Sequence, residues 1–267
     1  MKKLAFALAL LLALTACGKA PAADTPAATT PPPAETPAPS PTPDAEEWWK
    51  GLDLTALPTR ESGPVELSDG VTVTCMAQAK EADIALYAVL FPTRNTQDLL
   101  LRYVDKLQPA GVAFPGDQVS DFTFQDFDGD GESELCSVLR AGHTSTLTLY
   151  EWDEGWTAVP YDPADFSREL LDLLDVRESS SQVKVSYGKV TATYSPGPKD
   201  QGLSGLHRDF GDLAAFWPED GRLYASFGLA ADVGGELRYF GTMTASVTYD
   251  GAGFSLYDLQ LLSNSGV

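Results

Sequence analysis

Apolar and polar residues alternate in short runs along most of this chain: Val71 to Ala77, Ile84 to Phe91, Thr146 to Trp152, Lys184 to Tyr187, Leu223 to Phe227, Thr242 to Tyr249 and Phe254 to Leu261. A period of two places every second side chain on one face, which is the pattern of half-buried strands. The runs are separated by turn-forming pairs such as Asp69-Gly70, Gly188-Lys189, Asp220-Gly221 and Asp250-Gly251, and by Asp153-Glu154-Gly155. Asp-Gly between two alternating runs favours a hairpin, because its positive φ angles match the twist of the flanking strands. The expected fold is mainly β, built of antiparallel sheets and hairpins with one or two short helices.

One segment has a different period. Asp162-Pro163 opens a stretch with apolar residues at Phe166, Leu170, Leu173 and Leu174. Asp suits the N-cap and Pro the first helical position, so this predicts a helix of about three turns with one apolar face on the sheet. Thr96 to Leu107 fits either period: Leu99, Tyr103 and Leu107 are spaced for a helix, and Leu99, Leu101 and Tyr103 for a strand. We read it as strand.

The composition changes sharply at Glu46, where Trp48 and Trp49 follow at once. Residues 46–267 are long enough to bury one substantial core and are read as one domain, with room for two subdomains. Residues 1–16 carry Lys2 and Lys3, then an apolar run from Leu4 to Leu14 that is too short to span a bilayer as a helix; this predicts a signal peptide. Residues 17–45 begin with Cys17 and continue in Pro, Ala and Thr, with nine of the nineteen prolines and no aromatic residue between 18 and 44. Such a segment cannot bury enough apolar surface to offset the entropy of ordering, and as an extended stalk it reaches about 80 Å. Without Lys2 and Lys3 the chain carries 16 basic and 38 acidic residues, a net charge of −22. That charge repels nucleic acid and excludes it as a partner.

The acidic residues are concentrated in Gln125-Asp126-Phe127-Asp128-Gly129-Asp130-Gly131-Glu132-Ser133-Glu134-Leu135. In a straight strand Asp126, Asp128 and Asp130 would share a face and repel. Gly129 and Gly131 let the backbone curl, so that the carboxylates converge on a hard cation, and Ca²⁺ selects oxygen ligands of this kind. The expected ligands are the side chains of Asp126, Asp128 and Asp130, the backbone carbonyl of Glu132, and the carboxylate of Glu134 directly or through water. In the helix–loop–helix calcium site position 12 is a bidentate Glu; here it is Ser137, and both flanks, Ser120 to Phe124 and Leu135 to Leu139, look extended.

Three resemblances rest on these residues. Leu14-Thr15-Ala16-Cys17 resembles the bacterial lipobox, which implies lipidation of Cys17, cleavage before it, and anchoring at the extracellular face of the cell membrane. The β–loop–β segment of about 120–159, "QDFDGDGESEL" followed by "ELCSVLRAGHTSTLTLYEWDEGW", resembles the loops of FG-GAP and VCBS repeats. No second Asp-x-Asp-x-Asp-Gly occurs, so a complete propeller is not expected. The whole layout, with "YDPADFSRELLDLL" and "GTMTASVTYDGAGFSLYDLQL", is similar to a group of Gram-positive-type lipoproteins of uncharacterised activity that have one VCBS-like segment.

Cys75 and Cys136 each sit in an alternating run, so both are expected to face a core, either joined as a disulfide or buried as two small hydrophobes. Evidence for catalysis is weak. Gly202-Leu-Ser204-Gly205 lacks the Gly-x-Ser-x-Gly spacing, and His143 and His207 have no second ligand at metal spacing. A carboxylate-based glycan hydrolase stays an alternative, because such pairs are defined by separation in space. Trp152 and Trp156, with Trp48 and Trp49, offer an aromatic platform for a polysaccharide or cover the edge of a sheet. The reading that results is a lipid-anchored, calcium-stabilised surface domain with a binding or scaffolding role, its partner a cell-envelope polysaccharide or another surface protein.

Overall fold

The structure is a computed structural model, and it describes residues 48–67, 70–92, 97–112 and 118–263. Cys17, the signal peptide and the stalk lie outside the described residues, as do Asp69 of the first turn and Thr96. The described residues all fall in one compact unit. They form antiparallel sheets with a single α-helix, and no closed propeller or barrel.

Four sheets follow one another along the chain. The first has strands β1 (Val65–Glu66), β2 (Thr72–Ala79), β3 (Ile84–Leu90), β4 (Gln97–Tyr103) and β5 (Lys106–Pro109), in that order. The ambiguous segment is therefore a hairpin, turning at Val104 with φ 54°. The central sheet has β6 (Gln118–Gln125), β7 (Glu134–Ala141), β8 (Thr144–Trp152) and β9 (Trp156–Pro160). A three-stranded sheet contains β10 (Asp175–Ser179), β11 (Gln182–Tyr187) and β12 (Val190–Tyr194). In the last sheet β13 (Leu203–Leu206) and β14 (Ala214–Glu219) both pair with β15 (Arg222–Val233), followed by β16 (Glu236–Tyr249) and β17 (Phe254–Ser263). Asp220-Gly221 closes β14–β15 with φ angles of 49° and 76°, as its sequence requires.

The helix, α1 (Pro163–Leu173), starts where expected: Asp162 Oδ1 accepts from the Ala164 N–H at 2.8 Å, and Pro163 follows. Phe166 and Leu170 are buried and Leu174 just beyond the helix is too, but Leu173 is 45% exposed and Leu171 packs on the core instead. Phe166 lies against Tyr161, Phe216 and Phe227, and the Ser167 hydroxyl accepts from the Phe210 N–H at 3.0 Å.

Three cores stack through the unit. Trp48, Trp49, Leu52 and Leu57 cover one face of the first sheet, over Val73, Cys75, Tyr87 and Val89. Its other face, with Ile84, Leu86, Leu99 and Leu101, packs on Leu135, Leu139, Tyr150 and Trp156 of the central sheet. The opposite side of the central sheet, through Cys136, Val138, Leu147 and Leu149, meets the helix and the last two sheets in the largest core. The central sheet is thus buried on both faces, and β7 is buried without a break from Glu134 to Leu139.

That layering answers the cysteine question. Both cysteines are free thiols, Cys75 in the outer core and Cys136 in the largest one, and the disulfide alternative fails. Burial pushes the Cys75 thiol up to about 11 and Cys136 higher still, so both behave as inert small hydrophobes.

Candidate functional site

The loop between β6 and β7 is shaped by its own carboxylates. Asp126 Oδ1 accepts from the Gly129 N–H at 2.6 Å and Oδ2 from the Gly131 N–H at 3.1 Å. Asp128 accepts from the Asp130 N–H at 3.0 Å, and Asp130 from the Glu132 N–H at 2.7 Å. Gly129 and Gly131 sit at φ 84° and 96°, in the region that side chains other than glycine rarely adopt, which is the curl the sequence calls for. Phe127 points inward and packs on the largest core.

This winding brings oxygen atoms of Asp126, Asp128, Asp130 and Glu134 to within 4.8 Å of one another. Ligands at about 2.3–2.6 Å from one Ca²⁺ lie at most about 5 Å apart, so the group fits around a single ion of that size. Among the described residues no Lys, Arg or His forms an ion pair with any of the four. The acidic cluster can therefore hold a metal ion. Glu132, expected to contribute its backbone carbonyl, keeps its side chain outside the group.

Glu134 differs from the other three. It is 1% exposed, and Oε2 accepts from the Phe127 N–H at 2.6 Å. Desolvation raises its pKa from 4.5 to about 7; the Phe127 N–H opposes the rise, and Glu151, Asp128 and Asp126 add to it. A buried carboxylate among like charges, with one N–H to neutralise it, is a group that a cation would stabilise strongly.

Three neighbours of the cluster, Glu151, Tyr249 and Gly251, come from elsewhere in the chain. Leu135 pairs with Tyr150, which sets Glu151 of β8 beside Glu134. Burial, then Glu151, lifts the Tyr249 phenol far above its ordinary value, yet neither the Tyr249 hydroxyl nor Glu151 Oε1 completes a hydrogen bond of ordinary geometry. The turn between β16 and β17 also reaches the loop, since a Cβ on Gly251 would lie 3.3 Å from Asp128 Oδ2. Glu151 sits in an unremarkable strand sequence and Gly251 is more than a hundred residues away, so no local pattern marks either.

The tryptophans do not form a flat platform. Trp152 and Trp156 meet edge to face, their centroids 5.0 Å apart and their planes at 68°, and Trp156 is buried. Trp48 and Trp49 are likewise edge to face at 87° and cover the first sheet. Trp152 and Trp156 pack with the core between the first and central sheets. His207 is flanked by Asp212 and Asp232 at 3.6 and 3.4 Å, away from the acidic cluster. The chain matches no protein-family model, no curated protein and no solved structure.

Proposed function

We propose that this chain is a lipid-anchored protein of the extracellular face of the cell membrane, whose β domain is stabilised by a structural Ca²⁺ and serves a non-catalytic binding or scaffolding role. The observation that carries the calcium reading is the convergence of Asp126, Asp128, Asp130 and Glu134 within 4.8 Å, with one of the four buried and short of donors. All four offer hard oxygen, the donor set that favours Ca²⁺ over the softer transition metals. When bound, the ion supplies charge neutralisation and a cross-link, not a reaction.

The placement of the loop supports a structural role. Phe127 joins the largest core, Glu134 begins the doubly buried strand β7, and Gly251 brings the last hairpin to Asp128. Holding these carboxylates together holds β6, β7 and the β16–β17 hairpin together. The resemblance of residues 120–159 to VCBS and FG-GAP loops favours the same use. The lipobox-like Leu14-Thr15-Ala16-Cys17 and the Pro/Ala/Thr stalk support membrane attachment through lipid, with an envelope polysaccharide or another surface protein as partner.

The test of the metal is thermal melting of the chain with millimolar calcium, with magnesium and with chelator, beside an Asp128→Asn, Asp130→Asn double variant. Calcium should raise Tm and the variant should lose the rise. An unchanged Tm in chelator overturns the calcium reading. Attachment is tested separately by labelling with a radioactive fatty acid, which Cys17→Ser should abolish.

A further inference from the structure

Beside the acidic loop lies a cavity of about 250 Å³ lined by Tyr103, Phe124, Glu132, Ser133, Glu151, Trp152 and Trp156. We infer that this cavity binds a small organic cation of the quaternary or methylated ammonium class. The inference goes beyond the partners proposed above, and it does not require the calcium ion.

The ring geometry is the first argument. Tyr103, Trp152 and Trp156 stand mutually edge to face, with centroids 4.7, 5.5 and 5.0 Å apart and interplanar angles of 69°, 66° and 68°. Phe124 adds a fourth ring at 88° to Trp156. Rings set this way cannot stack on a flat sugar face together. Each edge rests on a neighbouring face, so the rings form a packed aromatic wall along the cavity, against which a compact ammonium can lie.

Charge is the second argument. Glu132 and Glu151 are among the lining residues, and none of the seven is basic. Glu151 Oε1 is buried beside the Tyr249 hydroxyl and completes no hydrogen bond of ordinary geometry. The domain as a whole is strongly acidic, so its field concentrates cations and depletes anions near such a cavity. The Lys106 ammonium lies 5.0 Å from the centre of the Trp152 ring, a cation–π contact made by one of the lining aromatics. Lys106 itself does not line the cavity.

Size is the third. The volume lies just below the range of pockets for drug-sized ligands, roughly 300–1,000 Å³, and so limits the occupant to a headgroup-sized molecule.

Choline chloride is the probe, and 3,3-dimethylbutanol, the same shape without the charge, is its control, each titrated calorimetrically into the chain in calcium and in chelator at fixed ionic strength. Choline should bind saturably, and the neutral isostere should bind about tenfold more weakly, the scale of a desolvated cation–π contact. Trp152→Ala should lose about tenfold, and Glu132→Gln, which alters an exposed side chain and keeps its backbone carbonyl, about threefold, with an unchanged melting curve. No saturable choline binding overturns the inference, as does an isostere that binds equally well or binding that survives both substitutions. The calcium reading stands or falls on melting alone, so the two failures are separable.

Discussion

Two Asp-containing connections lie side by side in this domain and treat their charge differently. In the β16–β17 turn Asp250 Oδ1 accepts from the N–H groups of Ala252 and Gly253 at 3.1 and 2.9 Å, and the Asp250 N–H is bonded to the Gly253 carbonyl. One exposed carboxylate has two donors and needs nothing more. In the β6–β7 loop four carboxylates converge on one spot, and the buried one has a single N–H. Backbone donors can shape such a loop but cannot balance its charge. The difference shows that an acidic turn becomes a candidate metal site when several carboxylates converge and one of them is buried with a single donor, even though backbone N–H groups reach each of them.

The two connections should differ most in their response to calcium. At a free concentration about 100 times the dissociation constant the ion adds about 2.7 kcal/mol, which for a domain of this size is about 5–10 °C in Tm. Melting should show this shift in the parent chain and in Asp250→Asn, and should lose it in the Asp128→Asn, Asp130→Asn double variant. Equal calcium responses in all three chains contradict the distinction between the loops.

The next effect is the pH dependence set by Glu134. Its folded pKa of about 7 lies above the ordinary 4.5, so between these values the folded state holds a proton that the unfolded state has lost. In chelator this contribution is fully present below about 4.5 and is lost as pH rises through 7. In calcium the slope should reverse, because protons compete with the ion for the same oxygens. Urea titrations from pH 5 to pH 8, with and without calcium, measure both slopes. Glu134→Gln should flatten the chelator curve and weaken the calcium response; a curve unchanged by the substitution assigns the titration elsewhere.

Smaller effects test where the two connections touch. Gly251 has φ 81°, and a Cβ there would crowd Asp128 Oδ2 at 3.3 Å. Gly251→Ala should cost about 1 kcal/mol and reduce the calcium shift, which a merely local strain would leave intact. The smallest change is expected for Asp250→Asn, whose amide oxygen still accepts both bonds: within about 0.5 kcal/mol, read from Tm in chelator.

Local patterns made much of this legible. Alternation located β2, β3, β8, β11, β15, β16 and β17, and the Asp162-Pro163 start located α1. The short edge strands β10, β12, β13 and β14 were less visible, because half-exposed strands of four to six residues carry little periodicity. On α1 the apolar spacing puts Leu173 on the inner face, whereas it is Leu171 that packs on the core and Leu173 that is exposed. For Cys75 and Cys136 alternation correctly indicated burial but could not say that the two lie in different cores.

Interactions between neighbours along the chain fix the strand period, the turn chemistry, the helix cap and the curl of a glycine-interrupted run of acids. The tertiary structure decided what depends on distance in space. It set Glu151 and Tyr249 behind Glu134, brought Gly251 to Asp128, and turned Trp152 and Trp156 edge to face. Burial between two layers is what raises the Glu134 pKa, and no residue in its own loop carries that information, since desolvation is produced by the sheets that close over it.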